Sequence, residues 1–252
     1  MTDLAATADR LRSMHVRGNP LVIINAWDVA SAQRVVAAGC RVVATSSAAI
    51  AASMGLPDDA SFPVPAMFET LGRIADAVEV PVSADLLDGY GLDSAELVDR
   101  LLASGVVGCN LEDSDHSRPG KMLDPVDAAR RLRAVRVAAT RAGVDIVINA
   151  RVDTYLHRGP GATDDVLERG HRYLEAGADC VYPIRLRDPA VVGDLVEQLD
   201  APINANPGGG ATVPDLAAAG ASRLSIGPMA FHSSLAALDR TAADLLTPTV
   251  AG

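Results

Sequence analysis

The sequence predicts a (β/α)₈ barrel on three observations. Eight short β-like runs alternate with helical stretches rich in Ala, Leu, Val and Arg from one end of the chain to the other. Five of the helical stretches finish on the same phrase, a glycine just before the next strand, at Gly39, Gly105, Gly143, Gly177 and Gly220. A glycine there reads as a left-handed helix cap, so its recurrence is a βα repeat signal. The strands are continuous apolar runs, as in a parallel sheet covered on both faces, and 252 residues is the length of one such barrel. No GxGxxG follows the first strand, which argues against an open dinucleotide-binding sheet.

The elements follow in order. Strands are expected at Leu21–Trp27, Arg41–Ser46, Pro81–Asp85, Gly108–Glu112, Asp145–Arg151, Cys180–Ile184, Pro202–Ala205 and Arg223–Ile226. Helices are expected at Met67–Val78, Ser94–Ala103, Pro125–Arg141, Asp164–Ala176 and Pro189–Gln198. Met229–Leu246 reads as a last amphipathic helix, with Phe231, Leu235, Leu238 and Leu245 apolar and Asp239, Arg240 and Asp244 polar. Two connections, Ala48–Phe62 and Asp113–Asp124, are longer than a βα loop needs and read as walls or lids of a site, or as plain surface excursions. The whole chain, 1–252, is read as one domain.

Composition bounds the function. An apolar content of 49% is ample for a large core. A formal charge of −10 argues against nucleic acid and anionic membranes as partners, both of which want a basic face. A small anionic substrate stays admissible, because a cation and a few arginines can reverse the field locally. No run of about 18 uncharged apolar residues occurs and the N-terminus does not read as a signal peptide, so a cytoplasmic protein is expected. Cys40, Cys109 and Cys180 form no CxxC pair and read as reduced thiols; the histidines show no zinc-ligand spacing.

A barrel of this kind carries its site at the C-terminal strand ends. Carboxylates collect there: Asp85 and Asp88 after the third strand, Glu112 and Asp113 after the fourth. Mg²⁺ takes oxygen ligands, keeps several waters and binds through few carboxylates, so these acids are candidates to hold it. Each could instead cap the helix that follows, and for Asp88 and Asp113 both readings stay open. Arg151 ends the fifth strand, as a fork for a substrate carboxylate or phosphate, as a structural partner of Asp153 or Glu112, or as both. Ser46 and Ser47 offer hydroxyls and N–H groups to an anionic oxygen, or cap a helix. Gly208 to Gly210 and Ser225-Ile-Gly-Pro228 could hold phosphate or only turn the chain. His116 and Lys121 are the proton-transfer candidates of the second long loop.

Taken in order, Asn25-Ala-Trp-Asp28, Thr45-Ser-Ser47, Ser83-Ala-Asp-Leu-Leu-Asp-Gly-Tyr-Gly91, Asn110-Leu-Glu-Asp113, Asn149-Ala-Arg-Val-Asp153 and Asn204-Ala-Asn-Pro207 resemble the isocitrate lyase / phosphoenolpyruvate mutase superfamily, in particular its short carboxyvinyl-carboxyphosphonate phosphorylmutase-like members. The resemblance implies a barrel dependent on Mg²⁺, or Mn²⁺ in its place, that makes or breaks a C–C or P–C bond next to a 2-oxo acid. It implies that Asp85 touches the metal and that Asp58 and Glu112, with Asp88 nearby, hold its water shell. It places Ser46, Ser47, Ala48, Arg151 and Asn206 around the substrate and Trp27 on the pocket wall.

Two departures stand out. Leu87 occupies a position where relatives carry a second acid, and the lid reads Asp-Ser-Asp-His-Ser-Arg-Pro-Gly-Lys-Met122 with no cysteine, which argues against isocitrate cleavage. The expected activity is lyase chemistry on a small 2-oxo or 2-hydroxy acid through an enolate, with Arg151 orienting and Tyr90, His116 or Lys121 moving the proton. Phosphonate P–C chemistry and a non-catalytic barrel are the alternatives. Relatives exchange the last helix between subunits, so a homotetramer built as a dimer of dimers is expected.

Overall fold

The computed structural model describes residues 3–118 and 120–246. Residues 1–2 and 247–252 of the expected domain, and Pro119 of the second long loop, lie outside the described residues.

The chain is a parallel (β/α)₈ barrel. Its first strand is broken at Ile24 into β1 (Leu21–Ile23) and β2 (Asn25–Ala26), and the break lets one strand belong to two sheets. β2 opens a six-stranded parallel run through β3 (Val43–Thr45), β4 (Val82–Asp85), β5 (Gly108–Glu112), β6 (Val147–Val152) and β7 (Cys180–Pro183). β1 pairs with β9 (Arg223–Ser225), which pairs with β8 (Asn204–Ala205), and a parallel bridge between Val181 and Ile203 joins β7 to β8 and closes the ring. All eight expected strands are present. Helices follow them: α2 (Val29–Ala37), α3 (Ser47–Ser53), α4 (Val64–Asp76), α5 (Ser94–Ala103), α6 (Pro125–Arg141), α7 (Thr154–Arg158), α8 (Thr163–Glu175), α9 (Pro189–Leu199), α10 (Val213–Ala218) and α11 (Met229–Leu246). The five glycine stops hold, each at positive φ from 73° to 101°.

Three features differ from the expectation. The strands are not uniformly apolar. Along β4 to β6 the residues Ala84, Leu111, Ile148 and Ala150 join the apolar layer under the helices, whereas Ser83, Asn110 and Asn149 face the barrel axis, where Asn149 Nδ2 donates to Asn110 Oδ1 at 2.8 Å. The connection at Ala48–Phe62 is not all loop, because its first part is α3, capped by the Ser46 hydroxyl. An unanticipated α1 (Leu4–Ser13) stops the bottom of the barrel: Leu11 packs with Leu21, Ile23, Val42, Ala44, Val107 and Val147, and Gly108 is small because a Cβ there would stand 2.8 Å from Leu11. The interior is therefore apolar at the base, amide-rich in the middle and acidic at the top. Among the described residues no helix is long and apolar enough to cross a membrane.

Candidate active site

The site begins with Asp85, the last residue of β4. Its Oδ2 accepts from Ser47 N at 3.3 Å and Ser47 Oγ at 3.1 Å, so the first turn of α3 is aimed at it. Ser47 Oγ also lies 3.3 Å from Asp58 Oδ2, so one hydroxyl stands between two carboxylates. Asp58 reaches the site from the loop after α3 with its residue surface still open to water. Crowding by the surrounding protein and then the charge of Asp85 push its pKa up to about 6.

Below Asp85 an amide relay sets its orientation. Asn110 Oδ1 faces both Asn149 Nδ2 and the fully buried Arg223 Nη2, the latter at 3.4 Å, which leaves the Asn110 amide N–H group to donate to Asp85 Oδ1 at 3.4 Å. Burial lowers the pKa of Arg223.

Glu112, ending β5, is 3% exposed and forms an ion pair with Arg151 Nη1 at 2.5 Å and a contact with His116 Nε2 at 2.7 Å. Burial raises its pKa, with the two basic partners opposing the shift. Burial alone would lower Arg151, but Glu112 and Asp153 outweigh it and raise its pKa. Arg151 also donates from Nε to Asp153 Oδ1 at 2.7 Å, so the structural and site readings coexist in one side chain. His116 is raised by its hydrogen bond to Glu112.

Asn25, Ser46, Ser47, Ala48, Asp58, Asp85, Asn110, Arg151, Tyr182, Arg185 and Gly227 are among the residues around one cavity of about 250 Å³. Tyr90 borders the same acids: burial and the charges of Asp85, Asp58 and Glu112 raise its phenol, and its hydroxyl is buried without a partner.

Four expected residues sit elsewhere. Asp88 accepts from Tyr90 N at 3.1 Å and lies 4.0 Å from Arg131, and among the described residues it shares no hydrogen-bond partner with Asp85, although the charges of both raise the Tyr90 phenol. Lys121 is exposed and, among the described residues, bonded only through its backbone, inside the loop bridged by Ser114 and Met122. Trp27 packs edge-on against Phe231 at 5.2 Å and so anchors α11 rather than lining the cavity. Asn206 has both ends of its amide engaged, by Arg185 N, Tyr182 OH and Ser225 O, and organises the strand ends. Asp113 is structural as well: buried, it accepts from Tyr173 OH at 2.6 Å, Arg169 Nη1 at 3.0 Å and Asp153 N at 2.8 Å. Leu87 is packed in the apolar core at φ 52°.

Sequence reasoning missed Asn110, Tyr182 and Arg223, and it placed Arg185 at the end of the sixth expected strand, on the catalytic face, without giving it a role. The signal that could have found the amides is period-two: Asn110 with Glu112, Asn149 with Arg151 and Asn204 with Asn206 each put two polar residues on one face of a strand.

Among the described residues no three His, Cys, Asp or Glu side chains converge as a closed metal cage. A cation that keeps most of its waters needs no such cage. The crowding of Asp58 against Asp85 and the orphaned Tyr90 hydroxyl fit a hydrated divalent ion beside Asp85.

The family model described as phosphoenolpyruvate phosphomutase matches residues 11–246. An uncharacterized protein of Mycobacterium tuberculosis, Rv1998c, is 32% identical over 222 residues, covering 88% of this chain and 83% of that protein. The 2-methylisocitrate lyase of Escherichia coli strain K12 is 28% identical, over 77% of this chain and 68% of its own length. Among solved structures, a Burkholderia cenocepacia J2315 protein provisionally described as a phosphonomutase superposes with TM-score 0.89 at 35% identity, covering 96% of this chain and 99% of that one. Oxaloacetate acetylhydrolase with its product oxalate superposes with TM-score 0.84 at 25% identity, covering 99% and 89%. With a family match that runs over nearly the whole barrel, the chain belongs to the phosphoenolpyruvate phosphomutase family.

Proposed function

We propose that this protein is a Mg²⁺-dependent lyase, with Mn²⁺ as a substitute, acting on a small 2-oxo or 2-hydroxy mono- or dicarboxylic acid through an enolate. The observation that carries the reading is the pairing of a carboxylate cluster, Asp58 and Asp85 around Ser47 Oγ, with the buried Arg151 fork across a cavity of about 250 Å³. Asp85 would hold the ion and Asp58 and Glu112 its waters; when bound, the ion supplies positive charge where negative charge develops on the substrate's oxygens.

The chain's own residues do the rest. Arg151, fixed by Glu112 and Asp153, orients the substrate carboxylate at a preset angle. Ser46, Ser47 and Ala48 form the opposite wall. Tyr90 stays protonated at neutral pH and can deliver a proton to the carbon freed by bond cleavage, while His116, made more basic by Glu112, is the second candidate donor. Retro-aldol cleavage or decarboxylation breaks the bond joining the carbon beside the oxo group to its outer neighbour, leaves that electron pair as the enolate, and is completed when Tyr90 or His116 gives its proton to that carbon. P–C chemistry is the second reading, favoured by the family match itself.

Two measurements test this. Calorimetry should show Mg²⁺ binding that Asp85→Ala abolishes without loss of fold; equal affinity in the variant refutes the assignment. Oxalate should raise the melting temperature only with Mg²⁺ present. A screen of 2-oxo and 2-hydroxy diacids beside phosphonopyruvate, read as pyruvate release, then separates the two chemistries.

We also propose a homotetramer. After Phe231 every described position of α11 is exposed, Leu235, Leu238, Leu245 and Leu246 included, an apolar face that a second copy of this chain would cover.

A further inference from the structure

Arg185 lies between two cavities. It lines the catalytic cavity and also a neighbouring one of about 410 Å³, whose other walls are Tyr155, Pro160, Leu186, Arg187, Asp188 and Val191. Its backbone is left-handed, at φ 68°, a conformation that disfavours any residue with a Cβ. Three of the four described non-glycine residues at positive φ, Leu87, Tyr90 and Arg185, sit in loops at the mouth of the barrel, whereas Asp200 merely ends α9. Such strain persists only where the surroundings over-determine it, and it gathers at ligand clamps.

Here the surroundings are specific. Arg185 N donates to Asn206 Oδ1 at 2.9 Å, Asn206 N donates to Leu186 O at 2.8 Å, and the Asn206 amide is itself held by Tyr182 and Ser225. The backbone is therefore clamped while the guanidinium has no hydrogen bond or ion pair among the described residues. Arg151 and Arg169 are both tied to carboxylates; Arg185 is the arginine of the catalytic cavity left without one. In a chain of net charge −10, with Asp58 and Asp85 lining the same cavity, an unpaired guanidinium held in a strained turn is poised for an anion from outside.

We propose that Arg185 is a specificity-determining residue that grips the second anionic group of the substrate, and that the adjoining cavity of Tyr155, Pro160, Leu186 and Val191 takes a short apolar substituent beside that group. The first carboxylate then lies toward Arg151 and Asp85, so this inference rests on the site reading above. It makes the substrate class a substituted dicarboxylate rather than a monoacid.

The test uses calorimetry on the full chain with saturating Mg²⁺ and three probes. Oxalate reports the Asp85 and Arg151 end alone, lactate is a 2-hydroxy monoacid, and malate adds a second carboxylate. Wild type should bind malate about tenfold tighter than lactate, the worth of one charge-assisted hydrogen bond. Arg185→Gln should abolish that preference, weakening malate far more than oxalate or lactate, and Arg185→Lys should restore part of it. Arg185→Gly should lose the preference and melt higher than wild type, because glycine relieves the left-handed strain. Oxalate binding without a malate preference in wild type, or a preference that survives Arg185→Gln, overturns the proposal while leaving the site intact. Failure of oxalate to bind wild type overturns the site reading and this proposal with it.

Discussion

Asp58 and Asp85 meet at the hydroxyl of one serine, and their proximity has a measurable consequence. An acid whose pKa in the folded protein, about 6, lies above its ordinary 3.8 opposes folding once it is ionised. That penalty is absent below the ordinary value and complete above about 6. With metal chelated, Asp58→Asn should therefore melt higher than wild type at pH 7.5, and the gap should close as pH falls toward 4. A gap independent of pH would show that the two carboxylates do not repel each other. His116 behaves oppositely. Its hydrogen bond to Glu112 raises its pKa, so its stabilisation is full below about 6.5 and fades as pH rises past the elevated value. His116→Ala should cost about 1–2 kcal/mol at pH 6 and less at pH 9 in urea titrations. Asp113 shows that a strand-end acid is not thereby a ligand: it belongs to a buried pair with Arg169. Arg169→Met should cost about 3–5 kcal/mol by leaving that carboxylate poorly compensated, with Mg²⁺ affinity intact in the folded fraction. Loss of metal binding in step with that variant would place Asp113 in the site after all.

At the scale of elements, the two ends of the barrel are closed by different means. The base is stopped by one helix: Leu11 of α1 inserts among Leu21, Ile23, Val42 and Val147, and it is fully buried. Leu11→Ala should cost about 2–5 kcal/mol, because the rigid strands around it cannot collapse into the void. A loss below 1 kcal/mol would mean that α1 repacks and is a cover rather than a plug. The mouth is built from short devices instead. α3 turns Ser47 toward Asp85, and the loop from Ser114 to Met122 is pinned to the strand ends through Ser114 Oγ on Asp153 at 2.5 Å. The loop thus carries His116 onto Glu112 and leaves Lys121 in solvent.

The molecule as a whole has one surface that does not suit a lone barrel. α11 touches the rest of the chain through Phe231 against Trp27 and then runs on with Leu238 at 63% and Leu245 at 79% exposure. Light scattering at micromolar concentration should give about four times the 26.0 kDa chain mass. Removal of the residues after Pro228 should leave insoluble protein; a soluble, active truncation or a monomeric full chain would show that α11 needs no partner.

Periodicity and punctuation are local properties, and so the order of strands, the glycine stops, Ser94–Ala103, Pro125–Arg141 and Met229–Leu246 were legible in the residues alone. So were Ser46, Ser47, Asp85, Glu112 and Arg151, because a parallel barrel delivers every strand end to one face, whereas Ala48 and Asp58, which no strand-end rule reaches, entered only through the family resemblance. The tertiary structure alone decided which acids meet. Glu112 and Asp113 are neighbours in sequence, yet strand alternation turns one to Arg151 in the mouth and the other to Arg169 behind it. It likewise decided that Trp27 holds a helix and that Arg185 bridges two cavities, since both follow from contacts more than 20 residues away in the chain, Trp27 with Phe231 and Arg185 with Asn206. Spacing along a strand says which residues share a face; only closure of the ring says what that face meets.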